Sequence, residues 1–138
     1  MALRNPRASV AVAAPDQGLA VVAAYPRECA GRLRAAFPHA RITLVQNEPP
    51  GQLEVTRGDA PSVLVGDPDD WQARWGAIAA LRETMPLLFD GCSVADYRAV
   101  TRDRRLPPPL ARPDTLWLVE PRAAPARARL PTPGGERA

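Results

Sequence analysis

The hydrophobic residues of this chain fall in short continuous runs, and few of them alternate strictly with polar residues. Two runs near the amino terminus, Ala8–Ala14 and Leu19–Tyr25, are separated by a turn-like Pro-Asp-Gln-Gly tetrapeptide. Continuous apolar runs are expected for strands of a sheet that is covered on both faces. We therefore predict two buried strands here and an α/β layer structure.

The pattern changes to helical spacing directly after the second run. Pro26 suits the first turn of a helix, and Pro38 stops the pattern. Arg41–Gln46 then reads as a further strand, so that the segment predicts a strand, helix, strand unit closed as a right-handed parallel crossover. The apolar residues expected on the buried face of the helix are Cys29, Leu33, Ala36 and Phe37.

A second helix follows the predicted buried strand Ser62–Gly66. Asp67 can cap free amides at its start, Pro68 fits its first position, and two further acids oppose the positive end of the helix dipole. Apolar spacing predicts a core-facing side for this helix, with large aromatic residues packed into the core. That side comprises Trp71, Trp75 and Ile78, flanked by Leu81 and Met85. The alternative is that Trp71 and Trp75, one helical turn apart, form an exposed platform for a base or a partner.

The remaining elements are shorter. Leu87–Phe89 reads as a strand, and Ser93–Asp96 resembles a capping box that opens a short helix, which Leu106–Pro109 cannot continue. Thr115–Val119 and Ala126–Leu130 predict a carboxy-terminal β-hairpin. The order of elements indicates one α/β domain over residues 8–130 of the 138, with an amino-terminal tail (1–7) and a disordered tail (131–138).

Nucleotide chemistry is disfavoured by the composition. A P-loop requires G-x-x-x-x-G-K-[ST], yet all 18 basic residues are arginine, and no G-x-G-x-x-G is present. Asp67 follows an apolar strand in the manner of a magnesium ligand, but Pro68 and the following acids favour a helix cap. The adjacent carboxylates Asp69 and Asp70 point about 100 degrees apart on a helix and are interpreted as solvated charges. We therefore expect no catalytic residue and no cofactor.

The two cysteines and the single histidine do not make a metal site. Cys29 and Cys92 lack a CxxC spacing, and His39 alone cannot complete a zinc site. We expect buried thiols, although one disulfide and a nucleophilic Cys92 remain alternatives. The apolar run after Arg4 and Arg7 is too short to span a membrane, so we expect a cytoplasmic protein that reaches the membrane only through a partner.

The positive charge of the chain lies in its carboxy-terminal third. Residues 1–97 carry 9 arginines against 11 acids, and residues 98–138 carry 9 arginines against 4 acids. The densest cluster is a candidate contact for DNA phosphates or an acidic partner, and favourable placement at a helix end is the alternative explanation. It comprises Arg98, Arg102, Arg104 and Arg105.

Several segments together resemble one protein family. The residues that carry the resemblance are Gly66–Gly76, Phe89–Arg98, Thr101-Arg102, Leu106–Pro109, Leu116–Val119 and Ala126–Leu130. They resemble the C-terminal part of an ATPase domain in FtsK/SpoIIIE-type proteins, which translocate DNA or act in type VII protein secretion. The resemblance implies a partial RecA-like (P-loop NTPase-like) fold, with a mostly parallel sheet, flanking helices and a closing hairpin.

The resemblance also implies a function without catalysis, because the phosphate-binding motif of the family is missing. We expect a degenerate ATPase module, acting as an accessory or regulatory subunit of a DNA-translocation or protein-secretion ATPase. The expected partner is a complete FtsK/SpoIIIE-type ATPase or a second copy of the chain. The alternatives are an arginine-mediated, non-specific DNA-binding protein and a non-functional gene fragment.

Overall fold

The computed structural model describes residues 10–13, 15–16, 18–48, 60–110 and 115–131, which form one seven-stranded sheet with helices on both faces. The strands are β1 (Val10–Ala11), β2 (Gly18–Ala23), β3 (Arg41–Leu44), β4 (Ser62–Gly66), β5 (Leu87–Asp90), β6 (Leu116–Val119) and β7 (Ala126–Arg129). The helices are α1 (Pro26–Ala36), α2 (Pro68–Ala73), α3 (Trp75–Leu81) and α4 (Val94–Thr101), with a 3-10 turn at Val45–Asn47.

The sheet is mixed, with the strand order β1-β7-β6-β5-β2-β4-β3. Its parallel pairs are β1–β7, β2–β4, β2–β5 and β3–β4, whereas β5–β6 and β6–β7 are antiparallel. The predicted α/β class and the carboxy-terminal hairpin are therefore confirmed. The strands β2 and β3 are parallel, as predicted, but β4 lies between them.

Helices cover the central strands on both sides, which explains the continuous apolar runs. In β2, Leu19 and Val21 pack into the core beneath α1, while Ala20 and Val22 pack into the core beneath α2, α3 and α4. All six residues of this strand are buried. The prediction of a sheet covered on both faces is confirmed.

The first predicted strand differs from expectation. Of the described residues in this run, 10–13, only Val10–Ala11 form a strand, and both are exposed. This strand pairs with β7 at the edge of the sheet, where the central helices do not cover it, and only the following Val12 is buried. The prediction of a buried strand is wrong here, because an apolar run does not reveal whether its strand lies at the centre or at the edge. Residues 8, 9 and 14 lie outside the described part of the chain.

The helix predicted after Asp67 is broken in two. Arg74 leaves helical geometry (φ −120°, ψ 43°), and its Nη2 donates to the carbonyl oxygen of Glu48 at 2.7 Å. Trp71 before the break is fully buried, whereas Trp75 after it is 43% exposed. The prediction that Trp75 packs in the core is wrong, because the break changes the direction of the side chains that follow.

The last helix and the hairpin agree with the sequence. In α4, the Ser93 hydroxyl accepts from the Asp96 amide at 3.1 Å and the Asp96 carboxylate accepts from the Ser93 amide at 3.0 Å, so the predicted capping box is confirmed. The proline segment after α4 is held on the hairpin, since Trp117 Nε1 donates to the Pro108 carbonyl at 2.7 Å. Residues 1–7 and 132–138 of the predicted tails lie outside the described part of the chain.

Candidate functional site

The predicted arginine cluster lies at the carboxyl end of α4. Arg98 occupies the last turn of this helix, Arg102 is its C-cap, and Arg104 follows in the next loop. All three are exposed, and together with Asp103 they line an open cleft of about 330 Å³. The structure thus brings three of the four predicted arginines into one surface feature.

The backbone at this cleft turns sharply. Arg102 adopts a left-handed conformation (φ 60°, ψ 21°), and its amide donates to the Arg98 carbonyl at 2.7 Å, which closes the helix. Left-handed C-caps usually carry glycine, because a Cβ atom makes this conformation unfavourable. The turn directs the chain so that Arg104 returns beside Arg98, whose Nη2 donates to the Arg104 carbonyl at 3.4 Å.

The fourth predicted arginine has a different role. Arg105 forms an ion pair with Asp103, in which Nε lies 3.5 Å from Oδ1, and its amide donates to the same carboxylate oxygen at 3.0 Å. The backbone hydrogen bond from Arg105 and the nearby guanidinium hold the pKa of Asp103 below its usual value. Arg105 therefore neutralises the acid at the cleft and is not among the residues that line it.

Two further side chains, Trp75 and Arg82, extend the site. The sequence interpretation gave an exposed Trp75 only as the alternative to core packing, and it did not single out Arg82. The Trp75 ring lies beneath the guanidinium of Arg102, whose Cζ is 4.7 Å from the ring centroid. Arg82 Nη1 donates to the Thr101 carbonyl at 3.1 Å, at the end of α4. Gly76, which weakens a helix interior, is a sequence signal for a break in the helix beside Trp75.

A second place for ligand binding in such sheets is the crevice outside the carboxyl ends of the parallel strands. Here the loop after β2 leads to α1 on one face, while the loops after β4 and β5 lead to α2 and α4 on the other. The turn from β2 to α1 consists of Ala24 and Tyr25 alone. Arg32 of α1 pairs with the carboxylate of Asp90, which lies opposite Ala23 in the sheet.

The carboxylate of Asp67, which resembles a magnesium ligand in the sequence, is engaged in helix capping. Asp67 Oδ1 accepts from the Asp70 amide at 2.7 Å, and Asp70 Oδ2 accepts from the Asp67 amide at 3.0 Å, so the cap interpretation is confirmed. Asp69 is exposed, as predicted. Asp70, by contrast, is half-buried, and burial raises its pKa, so its interpretation as a solvated charge is wrong.

Both cysteines are free thiols. Cys29 is buried in α1, and Cys92 is half-buried, with Sγ 3.5 Å from the Val22 carbonyl oxygen. Burial, reinforced by nearby carboxylates, raises the pKa of each thiol from 9.0 to about 12. A nucleophilic cysteine requires the opposite shift. In the part of the chain that the structure describes, no group of three or more metal-ligating side chains comes together.

A further cavity of about 290 Å³ lies at the opposite, amino-terminal edge of β2. Its wall combines apolar residues such as Leu19 and Leu118 with the acids Asp16 and Glu120. None of the arginines of the candidate cluster lines it.

No helix in the described residues is both long and apolar enough to cross a bilayer. Searches against protein-family models, curated proteins and solved structures found no match to this chain.

Proposed function

We propose that this chain is a noncatalytic module related to FtsK/SpoIIIE-type ATPase domains, which acts in the cytoplasm as an accessory subunit of a complete ATPase of that class. The proposal includes a partial RecA-like core formed by the central strands β2 to β5 and their helices. The observation that supports its noncatalytic part is the Arg32–Asp90 ion pair at the carboxyl edge of the sheet, where nucleotide would be expected in an open α/β sheet. The relation to FtsK/SpoIIIE-type domains is proposed from the sequence resemblance.

Three features of this edge oppose polyphosphate binding. The turn formed by Ala24 and Tyr25 is too short to surround a phosphate with backbone amides, as a glycine-rich loop does. Pro26 removes one amide donor at the helix start, and Glu28 places negative charge in the first turn of α1. The Arg32 guanidinium near this edge is already paired with Asp90.

Titration of the full chain with MgATP to millimolar concentrations tests the noncatalytic part. We expect no saturable change in the amide spectra of residues in the β2–α1 turn. A dissociation constant below about 1 mM, centred on this turn, would overturn the proposal.

Co-purification tests the accessory part. A tagged chain isolated from its native cells is expected to carry a complete FtsK/SpoIIIE-type ATPase, identified by mass spectrometry. A free monomer that never co-purifies with such an ATPase contradicts the proposal. The Arg98→Ala, Arg102→Ala, Arg104→Ala variant shows whether the arginine cleft takes part in that contact.

The arginine cleft favours a second candidate function, non-specific binding of nucleic acid. Three exposed guanidiniums line one concave surface, and phosphate attraction of this kind is largely independent of sequence. This function is independent of the crevice at β2, so the MgATP titration does not bear on it. It predicts binding that weakens steeply as salt increases.

A further inference from the structure

We propose that the arginine cleft binds single-stranded nucleic acid, with a base stacked on the Trp75–Arg102 pair and the adjacent phosphates held by Arg98 and Arg104. This inference rests on the second candidate function and specifies its ligand. The stacked pair and the cleft at the end of α4 carry it together.

The charge of the cleft is not neutralised by the protein itself. Among the described residues, Arg98, Arg102 and Arg104 form no ion pair with a carboxylate. Among the described residues that line the cleft, the one acid is Asp103, and it is paired with Arg105. An anionic polymer bound at the cleft therefore contacts three guanidiniums without a carboxylate partner, and the negative charge of Asp103 is neutralised by Arg105.

Arg102 is held in place in a way that a merely solvated surface arginine does not require. It occupies a left-handed backbone position that favours glycine, and its guanidinium stacks on Trp75. The stacked guanidinium is thus preorganised, which reduces the entropy lost when it binds a ligand.

The neighbouring aromatic ring favours a single strand over a duplex. Binding of single strands combines a basic groove with aromatic or guanidinium planes on which unpaired bases stack. Trp75 remains 43% exposed with the Arg102 guanidinium over its ring, and Arg102 is itself exposed, so the stacked pair is accessible to a base. In a duplex the bases are already stacked on one another and cannot use this ring.

The surface of α4 also favours a single strand over a duplex. A helix that enters the major groove of DNA presents basic and polar side chains from its amino-terminal half. The amino-terminal half of α4 carries Ser93 and Asp96, which are engaged in its capping box, and the apolar Val94, which is 38% exposed. Its basic residue, Arg98, lies in the last turn.

The test is fluorescence anisotropy with a labelled 12-residue oligothymidylate and the full chain, measured over a range of salt concentrations. Replacing Arg98, Arg102 and Arg104 together by alanine is expected to reduce the slope of log K against log salt by about 1.4, since Arg98 and Arg104 each hold one phosphate and each such contact contributes about 0.7. The matched control replaces Arg27, Arg34 and Arg41, which are exposed on α1 and β3 away from the cleft. It removes the same charge and should leave binding within about twofold.

Stacking of a base on the Trp75–Arg102 pair is tested separately by substitution of Trp75. Trp75→Leu is expected to weaken oligothymidylate binding about tenfold without changing the salt slope, because stacking involves no counterion release. Trp75→Phe should restore part of the loss. Thermal unfolding followed by circular dichroism establishes that each variant is folded.

The outcomes separate the inference from the function on which it rests. No binding of either single strands or duplex at low salt overturns both. Duplex binding as tight as single-strand binding, or an unchanged affinity in Trp75→Leu, overturns only the single-strand inference. Binding to anionic phosphatidylserine vesicles without binding to oligothymidylate assigns the cleft to a membrane surface and also overturns the single-strand inference.

Discussion

Arg32 of α1 donates a hydrogen bond to the Asp90 carboxylate at the end of β5, and the pair joins a helix on one face of the sheet to its carboxyl edge. The two side chains are 58% and 12% exposed, respectively, so the carboxylate is the more deeply placed partner. The pair also lies beside Cys29, whose pKa the Asp90 carboxylate helps to raise.

Replacing Asp90 by asparagine should therefore change the stability of the fold little and lower the pKa of the Cys29 thiol clearly. We expect the free energy of unfolding in urea to fall by about 1 kcal/mol or less, because solvent screens the exposed guanidinium. The pKa of the Cys29 thiol should fall, measured by pH-dependent alkylation in a Cys92→Ala background. Arg34→Gln, on the same helix, is the control and should change neither quantity.

The two tryptophans beside the helix break should differ in their contributions to stability. Trp71 is fully buried and its Nε1 donates to the Val21 carbonyl at 2.8 Å. Trp71→Phe removes this hydrogen bond and part of the core volume, so chemical denaturation should show a loss of about 2 to 4 kcal/mol. Trp75→Phe should stay within about 0.5 kcal/mol of the native protein. Equal losses would contradict the exposed position of Trp75.

The cap of α2 can be distinguished from a magnesium site by two substitutions. Asp67→Ala should lower the free energy of unfolding by about 1 kcal/mol. Asp67→Asn should retain most of the stability that the cap provides, because the asparagine oxygen also accepts from the helix amide. Millimolar magnesium should leave the thermal midpoint of the native protein unchanged. A magnesium-dependent rise that is lost in Asp67→Asn would indicate metal binding instead.

Alkaline pH should destabilise the fold through the two thiols. Their pKa values are about 12 in the folded protein against 9.0 ordinarily, so folding favours the protonated form. The resulting stability is complete below about pH 9 and is lost as pH rises toward 12. Denaturation from pH 8 to 11 should show this decline, and the Cys29→Ala, Cys92→Ala variant should show a shallower one. An identical decline in both proteins would refute the assignment.

The left-handed conformation of Arg102 predicts that its glycine and alanine variants differ in stability but not in binding. Arg102→Ala and Arg102→Gly both remove the guanidinium from Trp75, but only glycine relieves the backbone conformation. Arg102→Gly should therefore be about 1 kcal/mol more stable than Arg102→Ala in thermal or chemical denaturation. Both should weaken oligothymidylate binding equally, and a difference in binding would mean that the backbone itself contributes.

The sequence by itself determined the elements whose signals are local. Pro26 and Pro38 bounded α1, Asp67 capped α2, and Ser93 and Asp96 formed a capping box at the start of α4. These signals work because a cap is made by residues three positions apart, whatever the rest of the fold does. The continuous apolar runs likewise indicated a sheet buried on both faces.

Tertiary structure alone decided which residues meet. Strand order is set by long-range pairing, so no local pattern placed β4 between β2 and β3 or β1 at an exposed edge. The break at Arg74 is stabilised by a hydrogen bond to Glu48, which is 26 residues away, and it moved Trp75 from the predicted core to the surface. The arginine cluster was visible in the sequence as charge alone. The turn at Arg102 places three of the four arginines, Arg98, Arg102 and Arg104, at one cleft and brings the Arg102 guanidinium over Trp75. Both arrangements depend on the direction of the backbone after α4.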